Sequence, residues 1–136
     1  MKITIKNLQS KLPIGSLGIN KIIHQVLIGE KIKKTGWINI CFVTDPIIKK
    51  FNRKFHHTNN TTDVLAFDLS QSKKIIQADV IISTDTAIKQ AAIFKTTPIK
   101  ELKLYLIHAI LHLSGYNDQN KKQIMLMRKT ESKYVY

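Results

Sequence analysis

The sequence predicts an α+β fold in which a mixed four-stranded sheet packs against about five helices. Four short segments carry the pattern of strands, and longer segments with helical spacing of apolar residues lie between and after them. The resulting order is β-α-β-α-β-β-α-α-α. The chain of 136 residues is long enough for one hydrophobic core, so we expect residues 1–136 to form a single domain.

The first half of the chain is predicted to form two strands and two helices. "KITIK" at 2–6 alternates apolar and polar residues, which is typical of a strand. Apolar residues at helical spacing predict a helix from about 17 to 33, and the β-rich run "WINICFVT" at 37–44 predicts a central strand. We interpret Asp45 as the N-cap of the next helix, because Pro46 follows it where a first helical turn tolerates proline.

The second half is predicted to add two strands and three helices after the polar loop "HHTNNTT" at 56–62. These elements are strands over 63–69 and 78–83 and helices over 84 to about 93, 97 to about 115 and about 119 to 132. Ser83 or Thr84 can cap the first of these helices, and Thr97 followed by proline begins the second. Gly115 stands where a helix end favours glycine. We expect the helix over 97 to about 115 to pack across the sheet.

The charge of the chain favours a polyanionic partner. The formal net charge is +13, from 22 basic residues against 9 acidic residues, which suits RNA, DNA or a ribosome surface. A compositional bias is the alternative, because 20 of the basic residues are lysine and isoleucine and asparagine are also frequent. The basic residues divide evenly, 11 up to position 60 and 11 after it, so the sequence contains no basic tail.

The sequence also predicts a cytoplasmic protein that does not enter a membrane. No apolar run approaches the roughly 20 residues needed to span a bilayer. The first residues alternate instead of forming the apolar core of a signal peptide. Cys41 is the only cysteine, so no intramolecular disulfide can form, which suits a reducing compartment.

The segment "HAILHLSGYND", which begins at His108, is the strongest candidate for a functional site. His108 and His112 are four residues apart, so on a helix they point from the same face. A zinc site normally has three or four protein ligands. Gly115 allows the chain to turn back, and Asp118 is the first acidic residue after His112. If the third ligand is local, it is Asp118.

The alternative to a metal site is a pair of core histidines that hydrogen-bond to the backbone of an ordinary helix. A zincin-type peptidase is disfavoured on either interpretation, because its His-Glu-x-x-His motif needs a glutamate where Ala109 stands. A metal bound here would therefore activate water without that general base.

The same segment resembles the signature of the YbeY family, His-Gly-x-Leu-His-Leu-x-Gly-Tyr-Asp-His. The matching positions are His108, Leu111, His112, Leu113, Gly115 and Tyr116. Further segments resemble the family in the same order along the chain. They are "FNRKF" at 51–55, "TDVLAFDL" at 62–69, "ADVIIS" at 78–83 with "KQA" at 89–91, and then Met127 and Glu131. The resemblance covers about residues 37–131.

The resemblance implies a single-metal hydrolase with its site on a central helix and the following turn. It implies a single-strand-specific, metal-dependent endoribonuclease of ribosomal RNA maturation, including the 3′ end of the small-subunit RNA, and of ribosome quality control. One divalent metal ion, with zinc favoured, would be held by His108, His112 and Asp118. The residues that would support the site are Tyr116, Met127 and Glu131. The partners implied are ribosomal RNA and the ribosome or small-subunit assembly factors.

The chain departs from the family pattern at chemically important positions. The third metal ligand of the family is a histidine, whereas this chain has Asp118, preceded by Asn117 in place of an aspartate. Ala109 replaces a glycine and Ala66 replaces a serine. His56 falls where the family has an arginine.

These departures change the chemistry expected at the site. Asp118 adds a negative charge, which would make the metal a weaker Lewis acid than three histidines would and would shift the preference toward manganese or iron. We expect His56, or Arg53 one helical turn earlier, to act as the catalytic residue that stabilises charge on the phosphate. The alternative hypothesis is a ribosome-binding or RNA-binding assembly factor whose metal site is weakened or inactive.

Overall fold

Among the residues that the structure describes, four strands form a sheet. They are β1 (Lys2–Asn7), β2 (Thr35–Val43), β3 (Val64–Asp68) and β4 (Ile75–Ser83), in the spatial order β1-β2-β4-β3. β2 is parallel to both β1 and β4, whereas β3 pairs with β4 in antiparallel orientation. The computed structural model describes residues 1–56 and 63–135 and, at Phe55 and His56, the backbone only. The predicted mixed four-stranded sheet is confirmed.

Five α-helices lie within the described residues, as predicted. They are α1 (Ile19–Gly29), α2 (Asp45–His56), α3 (Thr84–Phe94), α4 (Pro98–Leu113) and α5 (Lys121–Val135). A short 3₁₀ turn at Ile14–Leu17, which the sequence pattern did not predict, precedes α1. Within the described ranges, no helix is both long enough and apolar enough to cross a membrane.

The predicted elements differ from the structure mainly at their ends. α1 ends at Gly29, four residues before the predicted end at 33, and Lys31 then adopts a left-handed conformation with φ of 56°. β4 begins at Ile75, three residues before the predicted start of that strand at 78. The predicted loop at 56–62 lies outside the described residues, except for His56, which is the last residue of α2.

The main hydrophobic core lies between the sheet and α4. The fully buried large side chains of α4 are Leu102, Leu106, Ile107, Ile110 and Leu111. They share one cluster with Ile40 and Phe42 of β2 and Val80 of β4. Ile48 of α2 packs against Ile81 of β4 in a second, smaller cluster. Because successive strand side chains point to opposite faces, α2 covers the face of the sheet opposite to α4.

Asp45 joins the start of α2 to β4 and α3 instead of capping its own helix. The helix begins at Asp45, and the carbonyl of Thr44 accepts its first amide hydrogen bonds, so the N-cap interpretation is wrong. The buried carboxylate of Asp45 accepts hydrogen bonds from Ser83 Oγ (2.5 Å), Thr86 Oγ1 (2.7 Å) and Lys89 Nζ (2.7 Å). Burial alone would raise the pKa of Asp45, but these donors outweigh burial and hold the pKa below its usual value.

Glu30 ties the end of α1 to the segment after α4 and to α5. Its side chain is 8% exposed, accepts hydrogen bonds from the hydroxyls of Tyr116 (2.5 Å) and Tyr134, and lies 3.7 Å from Lys133 Nζ. A Cβ at Gly29 would overlap the Tyr134 ring, so glycine gives that ring the space to reach Glu30. Burial would raise the pKa of Glu30, but the two hydroxyls and Lys133 lower it.

Asp45→Asn should lower the free energy of unfolding by about 1–3 kcal/mol, because it weakens a buried, charge-assisted hydrogen-bond cluster. In the wild-type protein, the stabilisation by Asp45 is present above its unfolded pKa near 3.8 and is lost as the pH falls through the lower folded pKa. Urea unfolding at a series of acidic and neutral pH values measures both effects. The variant should lose less stability in acid, and an equal loss in both proteins would contradict this role of Asp45.

Glu30→Gln and Tyr134→Phe should each lower the free energy of unfolding by about 1–2 kcal/mol, because each weakens a hydrogen bond to a buried charge. Both changes affect the same contact, so the double variant should lose less than the sum of the single losses. Chemical denaturation of the four proteins gives the coupling energy between the two residues. Additive losses would mean that the two side chains do not act together.

Candidate functional site

One face of α4 carries polar side chains at helical spacing. Glu101, Tyr105, His108 and His112 are separated by four, three and four residues, so they form a stripe along the helix. Each of these side chains lines one of two adjoining clefts, and His108 lines both. α4 therefore presents its functional groups in one line, with His108 where the two clefts meet.

His108 lies between two carboxylates. Its Nδ1 is 3.2 Å from Oε2 of Glu131 on α5, and its Nε2 is 3.8 Å from Oδ2 of Asp118. A carboxylate only accepts hydrogen bonds, so Glu131 favours a proton on Nδ1 and leaves Nε2 facing Asp118. The hydrogen bond to Glu131 raises the pKa of His108 against the effect of burial, and the negative charges of Glu131, Asp63 and Asp118 raise it further.

The turn after α4 brings Asp118 back toward the histidines. Gly115 adopts a φ of 112°, a conformation that other residues rarely take. His112 is exposed, and the side chain of Asp118 is 49% exposed. His108, His112 and Asp118 line one cleft of about 300 Å³ together with Asp63 and the first residues of β3. The three predicted metal ligands therefore share a cleft.

These side chains fit a divalent metal ion in part. Two ligand atoms that each lie about 2.0–2.1 Å from a tetrahedral zinc ion are about 3.3 Å apart. The 3.8 Å between His108 Nε2 and Asp118 Oδ2 is close to that separation. Within residues 1–56 and 63–135, however, no three His, Cys, Asp or Glu side chains converge into a metal-binding group. A metal ion would need a further side chain, such as His112, to move toward the pair.

Of the three predicted support residues, Glu131 and Met127 line the helical side of His108, whereas Tyr116 contacts Glu30. Glu131 is buried and contacts His108 directly. Met127 is 2% exposed and belongs to the main core, where it also lines the cleft on the α5 side of His108. Tyr116 donates its hydroxyl proton to Glu30, so the segment just before Asp118 is held by a contact with α1.

The structure does not bring Arg53, one of the two predicted catalytic residues, to the histidines. Arg53 is exposed on α2, and it is not among the described residues that line either cleft beside His108. The side chain of His56 lies outside the described part of the chain. Asp63, by contrast, lines both clefts and also accepts a backbone hydrogen bond from Ser83 through its carbonyl. The catalytic roles of Arg53 and His56 stay predictions.

A second cleft adjoins His108 between α3, α4 and α5, and we call it the helical cleft. Its volume is about 420 Å³. Four of the nine acidic residues of the chain line it, namely Asp63, Glu101, Asp118 and Glu131. Burial and the charge of Asp63 raise the pKa of Glu101. Burial and the charges of Glu101 and Asp63 also raise the pKa of Tyr105. The helical cleft is therefore locally acidic in a chain of net charge +13.

Sequence reasoning missed Glu101, Tyr105 and Glu30. The first two precede His108 at helical spacing, so the pattern of α4 contained a signal for them. Glu30 offered no such signal, because it lies 86 residues from Tyr116, whose position it fixes.

Comparison with known proteins gives a consistent result. The family model described as Endoribonuclease YbeY matches residues 4–136. An endoribonuclease YbeY of Amoebophilus asiaticus is 31% identical over 131 residues, covering 96% of this chain and 88% of the relative. Another, from Petrotoga mobilis, is 35% identical over 123 residues, covering 90% of this chain and 85% of the relative.

The fold also agrees with a solved structure. The solution structure of a Thermotoga maritima protein matches with a TM-score of 0.70 at 26% sequence identity, covering 98% of this chain and 86% of that protein. The family model extends over nearly all of the sequence, and the relatives above 30% identity cover most of it. The chain therefore belongs to the endoribonuclease YbeY family.

Proposed function

We propose that this endoribonuclease cleaves single-stranded RNA during the maturation of ribosomal RNA, including the 3′ end of the small-subunit RNA, and during ribosome quality control. The observation that carries the proposal is His108 held between Glu131 and Asp118, in a chain of the endoribonuclease YbeY family. The net charge of +13 supports a polyanionic substrate. The protein acts in the cytoplasm, with the ribosome or small-subunit assembly factors as partners.

The cofactor in this proposal is one divalent metal ion, with zinc favoured and His108, His112 and Asp118 as its ligands. When bound, such an ion supplies Lewis-acid activation of water and neutralises charge on the phosphate. The separation of 3.8 Å between His108 and Asp118 supports two of these ligands. Because Asp118 contributes a charged oxygen, the site suits manganese or iron better than a three-histidine site would.

The residues around the pair position it through their contacts. Glu131 accepts a hydrogen bond from the Nδ1–H group of His108 and so orients the ring with Nε2 toward Asp118. Tyr116, held by Glu30, fixes the segment that leads to Asp118. A ligand held in advance loses less conformational entropy when it binds, so these contacts favour metal binding and the correct placement of the RNA.

His56 or Arg53 has the catalytic role of stabilising negative charge on the reacting phosphate. Arg53 is exposed on α2 and always charged, and a guanidinium can donate two parallel hydrogen bonds to a phosphate. A histidine at position 56 can instead exchange a proton near neutral pH. The exposed basic residues elsewhere hold the RNA backbone by contacts that weaken as salt rises.

An RNA-binding assembly factor with a weakened or inactive metal site is the second candidate. Two observations favour it. No three potential ligands converge among the residues that the structure describes, and the Asp118 side chain is 49% exposed. Such a protein would still bind RNA through its basic surface. The metal content of the purified protein separates the two candidates.

His112→Ala should abolish both metal binding and RNA cleavage, because the substitution removes a ligand. Elemental analysis of protein purified without chelator or histidine tag should give about one metal ion per chain for the wild type. His24→Ala is the matched control, because His24 is an exposed histidine of α1 bonded to the carbonyl of Asn20. It should keep the metal and the activity. Full cleavage by metal-free His112→Ala would contradict the proposal, and a metal-free wild type that binds RNA would favour the assembly factor.

Asp118→Ala and Asp118→His test the third ligand. The alanine variant should bind metal about tenfold more weakly or worse, since it loses a ligand. The histidine variant should keep the metal, because an imidazole nitrogen also binds zinc. Competition with a chelating dye measures the affinities. Unchanged metal affinity in Asp118→Ala would place the third ligand elsewhere.

A further inference from the structure

The part of the helical cleft lined by Phe94, Glu101 and Tyr105 has no role in the reaction proposed above, although His108 and Asp118 line the same cleft. Its volume of about 420 Å³ falls in the range of about 300–1,000 Å³ that is usual for small-ligand sites. It continues into a neighbouring cleft of about 510 Å³, and Phe94, Glu101 and Arg128 line both. The cleft is therefore large enough to receive part of the RNA beside the cleaved bond.

A buried polar atom in the helical cleft lacks a partner. Tyr105 is 4% exposed and lines the cleft, and its hydroxyl has no hydrogen-bond partner among the described residues. The carboxylate of Glu101, one helical turn earlier, helps to raise the pKa of Tyr105 through its charge and through a weak side-chain hydrogen bond that does not satisfy the hydroxyl. An unpaired buried hydroxyl is destabilising, so a ligand that bonds to it is favoured.

The charges in the helical cleft select the class of ligand. The carboxylates of Asp63, Glu101, Asp118 and Glu131 repel a phosphate group. A neutral group with hydrogen-bond donors avoids this repulsion and can still bond to the carboxylates. In single-stranded RNA, such groups are the edges of unstacked bases.

Phe94 supplies the surface on which such a base can stack. It is the last residue of α3, is 68% exposed and lines both clefts. Proteins that bind single-stranded RNA stack unpaired bases on aromatic side chains of this kind. Arg128 lines the same clefts from α5 and offers a positive charge to a neighbouring phosphate.

We propose that the helical cleft binds one unstacked base of the RNA substrate and that it prefers guanine. This inference rests on the proposed RNA-cleaving function of the His108 site. Phe94 stacks on the base, Glu101 accepts hydrogen bonds from the N1 and N2 groups of guanine, and the Tyr105 hydroxyl donates to its O6. In adenine and cytosine, the ring nitrogen beside the amino group is an acceptor, and a carboxylate repels it. Uracil has one donor between two acceptors, so it cannot donate two adjacent hydrogen bonds to a carboxylate.

The spacing along α4 suits a single nucleotide. Glu101 precedes His108 by seven residues, which is about 10 Å along the helix axis. Tyr105 lies between them on the same face. A phosphate held at His108 therefore leaves its own base, or the next one, within reach of Glu101 and Tyr105. The helical cleft thus reads a base adjacent to the bond that is cleaved.

RNA pentamers that differ only at the central nucleotide test this inference. The centre is guanine, adenine, cytosine, uracil or abasic, the linkages are phosphorothioates that resist cleavage, and fluorescence anisotropy with metal-loaded protein measures binding. Guanine should bind about tenfold more tightly than the other bases, and the abasic RNA should bind most weakly. Glu101→Gln keeps the shape of the side chain but loses an acceptor, so it should remove the preference for guanine. Phe94→Ala should weaken binding of all four bases about tenfold.

Ile93→Ala is the matched control, because Ile93 is 66% exposed, precedes Phe94 and does not line either cleft. Equal binding of the five RNAs, no measurable binding of any, or equal losses in the Ile93 and Phe94 variants would overturn the inference. A guanine preference without cleavage by metal-loaded protein would overturn the proposed reaction but keep the base site. Cleavage that does not depend on the neighbouring base would support the proposed reaction and overturn the base site.

Discussion

The burial of α4 against the sheet is the interaction on which the rest of the structure depends. Five of its large side chains are fully buried, and α1, α3 and α5 all pack against the same helix. Burial of five such side chains contributes on the order of 10 kcal/mol before the loss of chain entropy is counted. This packing fixes the rotation of α4 about its axis, so the remaining face must present the stripe from Glu101 to His112. The position of the site is thus a consequence of core packing.

In the proposed function, the distribution of charge would give two regions of the protein different roles in binding RNA. The basic residues give the protein a net charge of +13, which attracts a polyanion over distances of about a Debye length. The acidic residues are concentrated in the helical cleft and at the contacts of Asp45 and Glu30. A negative cleft within a positive surface repels the RNA backbone locally while the surface as a whole attracts it. On the proposal of a base site, the RNA backbone would follow the rim of the cleft while a neutral base enters it.

Much of the fold could be predicted because periodicity is a local property of the sequence. The alternation in "KITIK" and the spacing of apolar residues in α4 identify a strand and a helix before any contact is known. The end of α1 could not be predicted, because it is marked by the left-handed conformation of one lysine, Lys31. The shared cleft of His108, His112 and Asp118 could be predicted from helical spacing and from the glycine after α4. The partners of Asp45 and Glu30 could not, because they lie dozens of residues away and leave no local pattern.

The contact between Glu30 and the two tyrosines also bears on the order in which the protein assembles. Tyr116 and Tyr134 lie 86 and 104 residues from Glu30, and contacts between such distant segments form late in folding because they must first overcome loop-closure entropy. A chain in which α5 has not docked lacks Glu131 beside His108 and Tyr134 beside Glu30, even when α4 is already helical. We expect RNA cleavage to appear only in the fully folded molecule. A chain without a docked α5 would then carry both histidines without the contact that orients His108.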